Sequence, residues 1–71
     1  MSGGDRELTQ REKEVLLRLT EGKTTREIAA ELHLGEGTVK SHLSSIYVKL
    51  GVSNRTAAAL VGLRIFSLLQ P

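Results

Sequence analysis

The 71 residues contain no cysteine and no tryptophan, a single proline (Pro71) and only two aromatic side chains, Tyr47 and Phe66. Without cysteine there is no disulfide framework and no thiolate metal site, so stability must come from helix packing, as suits a reducing cytoplasm. No apolar run is long enough to span a bilayer, and the opening Met1-Ser2-Gly3-Gly4-Asp5-Arg6-Glu7 is polar rather than signal-like. The expectation is a soluble intracellular chain, with residues 1–7 as a flexible tail or linker and 8–71 as one domain. At this size only about 60% of the unfolded surface is buried, which disfavours a deep catalytic cavity. His33 and His42 have no cysteine or carboxylate cluster in a shared motif, and no glycine loop of phosphate-cradling type occurs. No enzyme, cofactor or metal is therefore expected. The last absence is the most telling: acids vanish after Glu36. Six basic and eight acidic residues occupy positions 1–36, a net −2. Lys40, Lys49, Arg55 and Arg64 stand alone after them, a net +4.

What is present reads as four helices. Thr9 and Glu12 form a Thr-x-x-Glu capping box opening a first helix that runs to about Glu21 and stops at Gly22. Val15, Leu16 and Leu19 make its inward stripe, with Glu12 and Lys13 among its wet positions. A second box, Thr24 to Glu27, opens a short helix that carries Ile28, Ala29 and Leu32 inward and ends near Leu32. The corner His33-Leu34-Gly35 follows, with Leu34 turned to the core and Gly35 as the N-cap of a third helix over about 36–50. Gly51 is placed to take the left-handed conformation that ends it. A fourth helix begins at Ser53 or Asn54 and continues towards Leu68. Strict alternation and hairpin turn pairs are missing, so the class is all-α.

At about 100° per residue, Val39, Leu43, Ile46 and Leu50 share one line of the third helix, with Tyr47 beside it. The opposite line holds Gly37, Ser41, Ser44 and Val48, flanked by Lys40 on one side and by Thr38 and Ser45 on the other. A polar helix face is ordinarily just a solvated one, but such faces carry glutamates, and this one has none beyond the first turn. Small side chains let a helix enter a major groove, and Lys40 and the serines can hydrogen-bond base edges. Thr25 and Arg26 sit where the free N–H groups of a helix start favour phosphate, while Thr24 reads equally well as a cap alone. Arg55 is balanced between phosphate and a carboxylate of the first helix. On the fourth helix Ala58, Val61, Gly62, Ile65 and Leu69 share one face and Thr56, Leu60, Leu63 and Ser67 the other. A second apolar stripe suggests another copy across a two-fold axis, unless Leu60 or Leu63 packs beneath the first helix or the tail.

Leu8-Thr9-x-Arg11-Glu12-x-Glu14-Val15-Leu16, Glu27-Ile28-Ala29, Thr38-Val39-Lys40-x-His42, Ile46, Lys49-Leu50-Gly51-Val52 and Arg55-Thr56 together resemble the LuxR/NarL-type (GerE-like) helix-turn-helix domain. The resemblance covers residues 8 to about 66. It implies a four-helix bacterial transcription-factor domain whose third helix enters the major groove and whose fourth makes a dimer through Thr56, Ala59, Leu60 and Leu63. By the same resemblance Lys40, Ser41 and Ser44 face the bases. Thr25, Thr38, His42, Lys49 and Arg55, joined by Arg26, lie at the phosphate backbone. Duplex DNA, a second copy bound on it, and RNA polymerase are the implied partners, in the cytoplasm and on the nucleoid. Many relatives carry a phosphoacceptor receiver or autoinducer-binding domain, so the chain reads as a single-domain regulator or as an effector domain, including that of a two-component response regulator. Gly35 stands where the family usually has Ser, Thr25 where Asn is common, and Ser44 where some relatives have a longer base-reading residue. Fewer direct base contacts, supplemented by water, are the consequence.

Two alternatives remain at this point. A sigma-factor region 4 shares the Gly-Thr-Val-Lys-Ser run but lacks His42 and the Lys-Leu-Gly-Val continuation into a fourth helix. A protein-interaction module on the same fold would use the Leu60 and Leu63 face instead.

Overall fold

The structure, a computed structural model, describes residues 7–68. Four helices follow one another: α1 (Gln10–Thr20), α2 (Thr25–Leu32), α3 (Glu36–Leu50) and α4 (Arg55–Leu68), with no strand among the described residues. Both capping boxes form. The Thr9 hydroxyl accepts from the Glu12 N–H at 3.1 Å while the Glu12 carboxylate accepts from the Thr9 N–H at 2.9 Å. Thr24 and Glu27 repeat the arrangement at 3.1 and 2.8 Å. Each box satisfies two backbone donors that a helix start leaves unpaired. The start of α4 is settled in favour of Asn54, whose Oδ1 accepts from the Ala57 N–H at 2.8 Å.

The first three helices end alike, in a left-handed residue followed by a backbone bond that reaches back five positions. Lys23 donates to the Arg18 carbonyl, Leu34 to that of Ala29, and Val52 to that of Tyr47. Gly22 (φ 83°) and Gly51 (φ 70°) take the left-handed position at no steric cost. At the end of α2 His33 takes it instead, at φ 59° and ψ 42°. That bond folds Leu34 back onto the core, where it is half-buried, and turns the chain directly into α3.

The core draws on every helix: Val15, Leu16 and Leu19; Ile28, Ala29 and Leu32; Val39, Leu43 and Ile46; and Ala58. Leu8, Tyr47, Leu50, Ile65 and Phe66 are half-buried against it. Leu69, placed by periodicity on the inner face of α4, lies outside the described residues. α4 crosses α1 closely at Gly62, where a Cβ would stand 2.8 Å from the Thr20 methyl and 3.0 Å from Leu16.

One expectation is overturned. Glu12 is not a wet position but a buried one, 4% exposed. Beyond its cap, the carboxylate accepts from the Lys49 ammonium at 2.8 Å and from the Ser45 hydroxyl at 2.7 Å. A carboxylate can be buried when its lone pairs are met by donors, and here α3 supplies two of them.

Candidate nucleic-acid interface

The corner between α2 and α3 presents α3 outward. Its buried line, Val39, Leu43 and Ile46, seats it on the other helices, and the opposite side carries Thr38, Lys40, Ser41, Ser44 and Val48, all exposed. His42 is half-buried on the flank. Two positions expected on or beside this surface are anchored on its inner side. The Ser45 hydroxyl is spent on Glu12. The Lys49 side chain, 18% exposed, is held by Glu12 and also donates to the Glu7 carbonyl at 3.2 Å. In this structure that ion pair joins α3 to α1.

Arg55 does not pair with a carboxylate of α1 among the described residues. Its guanidinium donates to the Lys23 carbonyl and, at 3.3 Å, to the Thr25 hydroxyl. It braces the loop that delivers the chain into α2. Thr24 is fully engaged as a cap, so the N–H groups of Thr25 and Arg26 are the ones left at that helix start. The Arg26 side chain is exposed, and neither it nor Lys40 pairs with a carboxylate among the described residues. Two cations on other elements are spent structurally: Arg18 and Lys23 both grip Glu31, at 2.9 and 2.8 Å, tying α1 and the α1–α2 loop to α2. The Lys23 contact draws the Glu31 carboxyl below its ordinary range.

Electrostatics at the Glu12 anchor separate opposing effects. Burial pushes this carboxyl up, yet hydrogen bonds from Lys49, Ser45 and the Thr9 backbone outweigh it and bring the pKa from 4.5 down to about 2. The anchor is ionised at neutral pH, and its charge is cancelled on the spot by Lys49. Glu12 is thus turned to the inner side of α3, and Lys40, one turn beyond the exposed Glu36, forms no ion pair among the described residues.

On α4, Ala58 and Gly62 face the core and Val61 and Ile65 are half-buried. Leu60 and Leu63 do not pack under α1; they are 58% and 51% exposed. Thr56 beside them is exposed, whereas Ala59 is half-buried and packs against the core. Leu63 also lines an open surface hollow of about 510 Å³ with Arg64, Ser67 and Leu68. No helix of the described residues is long and apolar enough to cross a membrane, and no group of three or more metal-ligating side chains is gathered among them.

Sequence reasoning missed the Glu12–Lys49–Ser45 anchor because its partners lie 37 and 33 positions apart. The only local sign was that Glu12 already had a partner in its capping box. Arg55 was equally hidden, since its acceptors are a main-chain carbonyl and a hydroxyl rather than an acid.

Two helices joined at a tight corner, the second offering an acid-free face of small polar side chains, define a helix-turn-helix DNA-binding domain of a transcriptional regulator. Residues 6–61 match the family described as bacterial regulatory proteins, luxR family, and the chain belongs to it. The chain is 48% identical over 58 residues to the spore germination protein GerE of Bacillus subtilis, covering 82% of this chain and 78% of GerE. It is 51% identical over 53 residues to the transcriptional regulatory protein LiaR of the same organism, covering 75% of this chain and 25% of LiaR. Among solved structures it resembles the response regulator ChrA of a heme-sensing two-component system. There the TM-score is 0.77 and the identity 48%, over 87% of this chain and 30% of that one. The chain spans about a quarter of the length of most of the curated relatives it matches. It is a LuxR-type, non-enzymatic DNA-binding domain homologous to the effector domains of response regulators.

Proposed function

We propose that this domain reads duplex DNA sequence-specifically, with α3 in the major groove and α4 pairing two copies on adjacent half-sites about one helical turn apart. Lys40, Ser41 and Ser44 address base edges, Lys40 favouring the O6 and N7 acceptors of guanine. Thr25, Arg26, Thr38 and His42 border the groove and meet phosphate. Lys49 and Arg55 act one step removed, by fixing α3 on α1 and the start of α2 on α4. Thr56, Leu60 and Leu63 form the pairing surface, with Ala59 at its inner edge. In the cell the domain works in the cytoplasm, on the nucleoid, as the DNA-binding end of a response regulator or of a single-domain regulator that addresses RNA polymerase.

The observation that carries this reading is the outward side of α3: exposed Lys40, Ser41 and Ser44 with no acid among them; Glu36 is confined to the first turn, and Glu12, which packs against α3 from α1, is buried and neutralised on its inner side. Phosphate repels carboxylates, so a surface cleared of them is what close approach to DNA requires. Lys40→Ala tests it. The expected result is a loss of about 1–3 kcal/mol of discrimination between a selected duplex and a scrambled one. An unchanged ratio of the two affinities would remove Lys40 as a base reader.

A further inference from the structure

Val48 is 81% exposed and is the one large apolar side chain on α3 that the fold leaves to solvent; the other exposed ones, Leu17, Leu60, Leu63 and Leu68, sit on α1 and α4. Nothing in the domain is gained from its two methyl groups. On a helix of about 100° per residue, Val48 falls within about 40° of both Ser41 and Ser44, so all three share one outward line. It stands roughly 10 Å along the axis from Ser41 and 6 Å from Ser44. With base pairs about 3.4 Å apart, the line Ser41, Ser44, Val48 spans about three steps of a duplex. The next residues round the helix, Ser45 and Lys49, are drawn inward by Glu12, and no longer side chain on this line holds the backbone away.

We propose that Val48 is a specificity residue that packs against the 5-methyl group of a thymine at the far end of each half-site. This deepens the DNA-reading proposal and rests on it. The major groove displays one apolar group, the thymine methyl, and an apolar side chain continuous with the polar readers of the same helix line is the chemistry that recognises it. Ser41 and Ser44 leave the pattern rich in hydrogen-bonding choices and poor in exclusions; a valine at the end of the line adds the exclusion of cytosine, which lacks the methyl.

The test begins with a duplex selected by the wild-type chain from a random pool, in which each thymine is then replaced in turn by deoxyuridine, removing the methyl alone. Wild-type affinity should fall about fourfold at one thymine per half-site, the equivalent of about 0.8 kcal/mol for one methyl. Val48→Ser, which leaves the fold intact at so exposed a position, should bind the thymine duplex about as weakly as the wild type binds the uracil one. It should not distinguish the two. The proposal is overturned if no thymine responds, or if Val48→Ser keeps the wild-type penalty. Should the wild type show no salt-sensitive binding to any duplex, the DNA-reading proposal itself falls, a result separable from either of these.

Discussion

Glu12 takes hydrogen bonds from three directions: the Thr9 N–H below it and Ser45 and Lys49 across from it. Its depressed pKa makes it a stabilising charge, with a sign that can be worked out. A carboxyl near 4.5 when unfolded and near 2 when folded contributes its full stabilisation above about pH 5 and loses it as pH falls through that interval. The contribution reaches up to about 3 kcal/mol at neutral pH. Glu12→Gln should therefore lower the unfolding free energy at pH 7, and the gap to wild type should close between about pH 5 and pH 2. Chemical denaturation at several pH values measures it; a gap constant with pH would mean that the ionised carboxylate is not the source. Lys49→Ala should act mainly on the same quantity, since it strands Glu12 without its cation. Its slope of log affinity against log salt on random duplex should stay close to wild type, whereas Arg26→Ala should lower the slope by about 1. A reduced slope for Lys49→Ala would return that lysine to the phosphates.

Among the elements, α4 shows how a helix with apolar groups on two sides is given one inner and one outer face. Gly62 sets the inner face by letting Thr20 and Leu16 come within about 3 Å of where a Cβ would be. Gly62→Ala should cost about 1–2 kcal/mol net, overpacking at the crossing outweighing the gain in helix propensity. Thermal unfolding reads this directly, and a stabilised variant would show the crossing to be loose. Leu60→Glu, on the outer face, should leave that stability within about 0.5 kcal/mol while lowering cooperative binding to a duplex with two half-sites. An unchanged binding curve would take α4 out of the pairing. The same contrast marks what could be read in advance. Capping boxes, glycine stops and the 3.6-residue stripes of α1 to α3 are local signals, and the four helices follow from them. Periodicity separated the two faces of α4 and put Leu60 and Leu63 on the outer one, but whether either packs beneath α1 stayed open, because the close approach of Gly62 to Thr20 has no local signature. The left-handed turn at His33 was hidden for a related reason: the corner's demand for a backbone bond from Leu34 to Ala29 overrides the side chain's preference. For the candidate site, the exposed line Lys40, Ser41 and Ser44 was legible from periodicity, but the inward engagement of Ser45, Lys49 and Arg55 was not.

For the whole molecule, the decisive property is the division of charge, −2 over residues 1–36 and +4 beyond, within a domain of net charge +2. Glu12 and Glu31, with their cations, are consumed in holding α1, α2 and α3 together, and on α3 Lys40 forms no ion pair among the described residues. The central claim is that this side binds duplex DNA with two chains paired through α4. The most direct measurement is binding to duplex DNA across a salt series, with stoichiometry taken at low salt. Neutralised phosphates release counterions, so log affinity should fall linearly and steeply with log salt, at two chains per duplex. Absence of binding at low salt, or affinity indifferent to salt, would contradict the account and turn attention to a protein partner for Leu60 and Leu63.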